Sequence, residues 1–128
     1  MLADFEPSAT IAVKDLEKVR AFYEQTIGLK PKGAPMRGAQ AFTAGAATVV
    51  VYESQYAGTN QATTVTWNLG GRFDAVMADL RAKGVTFEEY PMPGVTIKDG
   101  AHIVSEGGPG KVAWFKDPDG NIHNLNNG

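Results

Sequence analysis

The chain has 128 residues with 43% hydrophobic and 20% charged side chains, a composition typical of one soluble globular domain, and its net charge of −2 provides no basic surface for nucleic acid or an anionic membrane. The absence of cysteine excludes disulfides, thiolate metal sites and cysteine nucleophiles. No stretch has the features of a signal peptide or approaches the ~20 apolar residues that cross a bilayer, so we expect a cytoplasmic protein.

The first half of the chain predicts a strand, a helix and three further strands, the first of which follows the glycine that ends the helix. Residues 9–13 are short and β-rich, and Asp15 follows them as a helix N-cap. Apolar residues then recur at helical spacing as far as residue 27, and Gly28 supplies the left-handed residue that ends a helix. Residues 40–43 and 47–53 predict two strands joined by a turn.

The second half repeats this order. Residues 63–69 predict a strand, residues 73–83 a helix that ends at Gly84, and residues 85–90 another strand. Residues 91–110 are rich in Pro and Gly, and we interpret the segment from Tyr90 to residue 110 either as a lid over a ligand site or as a plain connector. Residues 111–115 and 121–125 predict the last two strands, joined by a turn with Pro118 at its second position and Gly120 at its fourth.

Three motifs together resemble a known superfamily: Asp15-Leu16 with Phe22-Tyr23 and Gly28-Leu29, then Lys83-Gly84-Val85, and then WFKDPDGN at residues 114–121. In this order and at these separations they are similar to the vicinal-oxygen-chelate domain of glyoxalases, bleomycin-resistance proteins and extradiol dioxygenases. The resemblance covers nearly the whole chain and implies an α+β fold. It implies one domain over residues 1–128, with two βαβββ modules, residues 8–53 and 62–126, forming an open cup-shaped eight-stranded sheet with helices on its outer face. It also implies a homodimer.

The resemblance also locates the positions at which metal-using members hold their metal. The first, five residues before the valine of the Val-x-Asp-Leu motif, is Ser8; the second is Thr64 or Val65; the last, three residues after the asparagine of the Asp-Pro-x-Gly-Asn turn, is Asn124. Catalytic zinc or iron requires about three imidazole or carboxylate ligands. Serine, threonine and asparagine offer only neutral oxygens, so we expect no metal and no cofactor.

Four titratable residues remain as candidates for a relocated metal site, namely Glu53, His102, Glu106 and His123. Side chains alternate along a strand, so His123 and Asn124 face opposite sides and cannot join one site. We interpret His123 as a partly buried, hydrogen-bonded ring, His102 as a solvated loop residue and Glu53 as a solvated carboxylate at a strand end. A site built from Glu53, His102 and Glu106 stays open as an alternative.

A cup lined by small polar and apolar side chains predicts a pocket for an uncharged small molecule. Tyr52, Trp67 and Trp114 are candidates either for stacking on a planar ligand or for ordinary core packing. The sequence therefore predicts a metal-independent small-molecule binding protein of the glyoxalase or bleomycin-resistance type, with a neutral aromatic ligand. The alternative is a divergent metal-dependent lyase or dioxygenase with a relocated metal, so catalysis stays open; a third hypothesis is an assembly module with an empty cup. The predicted ligand-binding residues are Ser8, Thr10, Tyr52, Thr64, Trp67, Trp114 and Asn124.

Overall fold

The computed structural model describes residues 1–104 and 110–128, which form two compact units, Met1–Thr59 and Asn60–Gly128. The first unit contains β1 (Ala9–Val13), α1 (Leu16–Ala21), β2 (Lys30–Pro31), β3 (Ala39–Ala44) and β4 (Ala47–Glu53). The second contains β5 (Thr63–Asn68), α2 (Phe73–Ala82), β6 (Phe87–Glu88), β7 (Val95–Lys98), β8 (Ala101–Val104), β9 (Lys111–Lys116) and β10 (Ile122–Asn126). Each predicted module lies inside one unit.

The first unit is a four-stranded sheet in the order β1-β4-β3-β2, in which only the β1–β4 pair is parallel. Ile11 lies beside Val51, and Phe42 lies opposite Val49, so these buried side chains share one face. The ring of Tyr23, in the turn after α1, lies 6.2 Å from the ring of Phe42. The helical segment therefore covers this face, and the predicted order of strand, helix and three strands is confirmed.

The helix of the first unit begins and ends as the sequence predicts. The Asp15 carboxylate accepts a hydrogen bond from the backbone N–H of Glu17 at 3.0 Å, which is the geometry of an N-cap. After α1 the backbone continues as one π-helical turn, Phe22–Thr26, and the chain then reverses at Gly28 with φ of +76°. A left-handed φ of this kind favours glycine because other residues crowd their Cβ atom there.

The second unit is a mixed sheet in the order β5-β10-β9-β8-β7, and β6 also pairs with β9. The β10–β5 pair is parallel, and the pairs that β9 makes with β10, β8 and β6 are antiparallel. The guanidinium of Arg81 lies over the ring of Phe87, whose strand partner is Phe115. Helix α2 therefore packs on the sheet face that carries Phe115, and its buried apolar residues are Phe73, Met77 and Leu80.

The segment predicted as a lid or connector contains the hairpin of β7 and β8. The described residues consequently hold ten strands in two sheets rather than the eight predicted, while the α+β class is confirmed. The reversal is the two-residue turn at Asp99 and Gly100, with φ of +52° and +84°, and Asp-Gly is a typical sequence for such a turn. Within the described chain, neither helix combines the length and apolar character needed to span a membrane.

Candidate ligand-binding site

Strand pairing in the second unit brings Trp114 and Asn124 directly opposite one another on β9 and β10. Side chains paired in this way share one face of a sheet. Thr66, the β5 partner of Asn124, lies on the same face, whereas the predicted site residue Thr64 falls at a shift in the β5–β10 register. We call this surface the Trp114 face. Strand register places on it Thr66, Asn68, Glu88, His102, Val112, Trp114, Lys116, Ile122, Asn124 and Asn126, and the ring of Tyr90 packs against it.

Three aromatic rings form the centre of the Trp114 face. The ring of His102 lies 4.9 Å from that of Trp114 at an interplanar angle of 88°, and the ring of Tyr90 lies 5.3 Å from it at 72°. Both contacts are edge-to-face, which is the favoured geometry for aromatic pairs. Trp114 is half-buried, and Tyr90 keeps 38% of its surface exposed. The indole is thus held in position by two neighbouring rings while part of it stays accessible.

His102 is fully buried in β8, which corrects the prediction of a solvated loop residue. Its Nε2 accepts a hydrogen bond from the backbone N–H of Tyr90 at 2.8 Å, and its Nδ1 lies 3.0 Å from the carbonyl oxygen of Gly100. A carbonyl only accepts, so Nδ1 carries the proton and Nε2 is the acceptor. Both ring nitrogens are therefore engaged, and neither is available to a metal without loss of a buried hydrogen bond.

Asn124 is the polar partner of Trp114 on β10. Only 8% of its surface is exposed, and its Nδ2 donates to the carbonyl oxygen of Ala113 over a long 3.4 Å. Two positions further along β10, the amide of Asn126 donates to the side-chain oxygen of Asn68 at 2.8 Å. The Trp114 face therefore presents neutral amides and the hydroxyl of Thr66 beside an indole.

Trp67 lies on the opposite face of the same sheet. It is the β5 partner of Leu125, and its ring is stacked at 6.1 Å and 6° from that of His123. The prediction that Trp67 and Asn124 line one pocket is corrected, because the strand register places them on opposite faces of the sheet. The prediction that His123 and Asn124 face opposite sides is confirmed.

The surroundings of His123 determine the protonation state of its imidazole. The imidazole is fully buried, stacked at 4.9 Å on Phe115, and its Nδ1 accepts a hydrogen bond from the indole N–H of Trp67 at 3.1 Å. Burial lowers the pKa of His123 to about 4, and the nearby Asp117 carboxylate opposes this only in part. The ring is therefore neutral at physiological pH and forms part of the core under α2.

Thr10 and Tyr52, two of the predicted site residues of the first unit, share one face. Tyr52 is the β4 partner of Ala12, Thr10 precedes Ala12 by two residues, and Ser8 lies one residue before β1. Ser8 and Thr10 are exposed, and Tyr52 keeps 40% of its surface exposed. This face lies opposite the buried side chains of Ile11 and Val51, as the alternation of the strand predicts.

Glu53 has a structural partner rather than the purely solvated position predicted for it. Its Oε2 accepts a hydrogen bond from the backbone N–H of Leu16, the first residue of α1, at 3.0 Å. The first N–H groups of a helix have no partner within the helix, and a carboxylate there also interacts favourably with the helix dipole. The side chain at the end of β4 therefore stabilises the start of α1.

The donor set at the superfamily's metal positions does not fit a catalytic metal. Ser8, Thr64 and Asn124 supply neutral oxygens, which compete poorly with water for zinc or iron. Among residues 1–104 and 110–128, no group of three or more His, Asp or Glu side chains is placed to hold a metal ion. Glu106, a member of the alternative site considered from the sequence, lies outside the described residues.

Sequence reasoning missed the two rings that support Trp114. Both lie in the segment interpreted as a lid: His102 reaches β9 through the β7–β8 hairpin, and Tyr90 follows β6, which pairs with β9. The available signal was the alternation of Val95, Ile97, Ala101 and Ile103 around Asp99-Gly100, which is typical of a two-residue hairpin.

Comparison with known proteins supports the architecture. The family model of the Glyoxalase/Bleomycin resistance protein/Dioxygenase superfamily matches residues 7–124. No curated protein matches the chain significantly. Among solved structures, the fosfomycin resistance protein FosX from Listeria monocytogenes is similar with a TM-score of 0.70 and 16% identity, covering 95% of this chain and 91% of that chain.

Two further solved structures have similar folds. The same FosX complexed with manganese(II) and sulfate has a TM-score of 0.66 and 16% identity, with 97% of this chain and 90% of that chain covered. A putative glyoxalase family protein from Bacillus anthracis has a TM-score of 0.62 and 19% identity, with 94% and 92% covered. At these identities the likeness establishes the fold alone.

Proposed function

The chain belongs to the Glyoxalase/Bleomycin resistance protein/Dioxygenase superfamily, and we propose that it is a metal-independent member that binds a neutral aromatic small molecule on the Trp114 face. The observation that carries this proposal is the half-buried indole of Trp114, positioned by two other rings directly opposite the amide of Asn124. Such a site combines a flat apolar surface with a directional polar group, which is the usual composition of a small-molecule pocket.

The indole supplies the larger part of the binding free energy in this proposal. His102 and Tyr90 contact Trp114 through edge-to-face geometry, so the ring loses little conformational freedom when a ligand stacks on it. Aromatic pairs contribute about 0.5–1.5 kcal/mol beyond the area that they bury. The Asn124 amide offers a donor and an acceptor, and it would orient a ligand that carries a carbonyl, hydroxyl or amide group.

The charges on the Trp114 face favour a neutral ligand. Glu88, the β6 partner of Trp114, forms an ion pair with Lys116 at 3.1 Å. This contact raises the pKa of Lys116, so its ammonium stays charged beside the Glu88 carboxylate. The two opposite charges therefore leave no net charge at this position. The position three residues after Asn121, where metal-using members have a carboxylate, is the uncharged Asn124.

The proposal is tested by screening neutral aromatic metabolites and antibiotics for saturable binding, with tryptophan fluorescence and NMR as readouts. Replacing Trp114 with Ala is expected to weaken a bound compound about tenfold or more, and Asn124→Ala about three- to tenfold. Trp67→Phe is the matched control, since it changes the other tryptophan on the opposite sheet face and is expected to bind normally. No saturable binding, or equal losses in Trp114→Ala and Trp67→Phe, would overturn the proposal.

The alternative is a metal-dependent lyase or dioxygenase with a relocated metal. It draws support from the solved FosX complex with manganese(II), although the residues described above do not fit that chemistry. Elemental analysis of protein purified without chelator separates the two. We expect sub-stoichiometric metal and no thermal shift on adding zinc, nickel, manganese or iron(II), whereas stoichiometric metal with chelator-sensitive binding would favour the alternative.

The proposed setting is a homodimer in the cytoplasm. Superfamily membership supports an assembly of two copies. Light scattering coupled to size-exclusion chromatography measures the mass directly, and a mass near the monomer value of 13.6 kDa would contradict the dimer.

A further inference from the structure

A cavity lies in the second unit between α2 and the β7–β8 hairpin, on the sheet face opposite the Trp114 face. Its volume is about 290 Å³, close to the lower end of the range for small-molecule pockets. We call it the Arg81 cavity, and its principal lining residues are Asp74, Met77, Arg81, Lys98, Ile103 and Lys111. We propose that it binds a small organic carboxylate with an apolar chain.

The position of the Arg81 guanidinium is the first observation behind this inference. Its Cζ atom lies 5.4 Å from the centre of the Phe87 ring, and its Nη2 donates to the backbone carbonyl of Asp99. The cation–π contact and the hydrogen bond together restrict the orientation of the guanidinium plane. Among the described residues Arg81 makes no ion pair, so its remaining N–H donors are available to an anion.

The balance of charge around the cavity favours an anion. Arg81, Lys98 and Lys111 line it together with two carboxylates, Asp74 and Asp99, which leaves one net positive charge. Asp74 is already engaged, because both of its oxygens lie 3.2 Å from the Nζ of Lys111. The cationic groups that remain for a ligand are the oriented guanidinium and the exposed ammonium of Lys98, with Asp99 as their only lining competitor.

The inner wall of the cavity is apolar. Met77 is buried on α2, and Ile103 and Ala101 alternate with His102 along β8, so they project toward the helix side. An apolar wall below a cationic rim is complementary to an amphipathic anion. A guanidinium pairs with a carboxylate through two parallel hydrogen bonds, which is why a carboxylate is the anionic group that we assign.

The second cavity beside Arg81 fits an anion less well. It has a volume of about 420 Å³ and is lined by Arg81 together with the carboxylate residues Glu89 and Asp99. The charge around this second cavity is net negative, so we assign carboxylate binding only to the Arg81 cavity. This binding is independent of the proposed function, because the Trp114 face is the other side of the sheet.

The test is an NMR titration of the uniformly labelled protein with hexanoate and, separately, with hexan-1-ol. We expect saturable shifts at the amides of residues 77–81 and 98–103 with hexanoate, and binding of hexan-1-ol at least about tenfold weaker, because it has the apolar chain without the carboxylate. The absence of saturable shifts, equal affinity for the alcohol, or shifts confined to the Trp114 face would each overturn the inference.

Three variants locate the binding groups. Arg81→Lys keeps the charge but loses the two-pronged geometry, and we expect hexanoate to bind about three- to tenfold more weakly. Lys98→Gln changes an exposed side chain that folding does not require, and we expect about a threefold loss. Lys83→Gln removes a cation from the same end of α2 outside both cavities, and a loss there equal to that of Lys98→Gln would contradict a specific site.

Discussion

Protonation of His123 should make the second unit less stable in mildly acidic solution. The imidazole is stacked between Trp67 and Phe115, and burial lowers its pKa from 6.5 to about 4. Between these two values the unfolded chain binds the proton and the folded chain does not. The free energy of unfolding therefore falls as the pH falls from above 6.5 toward 4, and above this window His123 has no effect on the pH dependence.

The magnitude follows from the two pKa values. At pH 5 an unfolded histidine is almost entirely protonated while folded His123 is almost entirely neutral, which disfavours the folded state by about 2 kcal/mol. At pH 7 the same difference is close to zero. The contribution of this one ring to the loss of stability between pH 7 and pH 5 is therefore about 2 kcal/mol.

Urea denaturation at the two pH values measures this contribution. Both tryptophans of the chain, Trp67 and Trp114, lie in the second unit, so their fluorescence reports the unfolding of the unit that contains His123. In the wild type, the loss of unfolding free energy between pH 7 and pH 5 includes the contributions of all titrating groups. The same measurement on His123→Gln lacks only the contribution of the imidazole. We expect the loss in the variant to be smaller by about 2 kcal/mol.

A second variant separates titration from packing. His123→Phe preserves an aromatic ring beside Phe115 but leaves the indole N–H of Trp67 without its acceptor, so its absolute stability should differ from that of His123→Gln. Both variants should nevertheless show the same reduced pH dependence, because neither side chain titrates. A wild-type pH dependence in either variant, or an imidazole pKa of 6 or higher in the folded protein by NMR, would refute the reasoning.

Two further predictions concern the ends of structural elements. Glu53→Ala should lower the free energy of unfolding by about 1 kcal/mol through loss of the bond to the Leu16 N–H, and Glu53→Gln, which keeps an acceptor, should cost less; thermal unfolding of both variants checks this order. Gly100→Ala should cost at least about 2 kcal/mol, because its φ is +84° and the new Cβ would lie 2.5 Å from that of Phe87. The control Gly94→Ala, where φ is +75° and a new Cβ would have no atom within 4 Å, should cost only about 1 kcal/mol. Equal losses of unfolding free energy in the two variants, measured by urea denaturation, would refute the close contact between residue 100 and Phe87.

Several elements could be read from the sequence because their signals are local. The cap at Asp15, the left-handed glycines Gly28 and Gly84 and the turn at Asp117 each depend on residues within one helical turn, and all were found where predicted. Alternation along β1 and β10 likewise assigned Ile11 and His123 to buried positions. These features follow from backbone stereochemistry and side-chain period, which act over a few residues.

The partners of those residues were decided by the tertiary structure. Trp67 and His123 are separated by 56 positions, and only the register of β5 against β10 determines that Trp67 shares a face with His123 rather than with Asn124, since a shift of one residue would exchange the faces. The burial of His102 required the β7–β8 hairpin, and the cap that Glu53 provides required β4 to end beside α1. Local sequence patterns are sufficient to identify the superfamily fold and the neutral donors at its metal positions, whereas long-range strand pairing selects the residues that make up each surface.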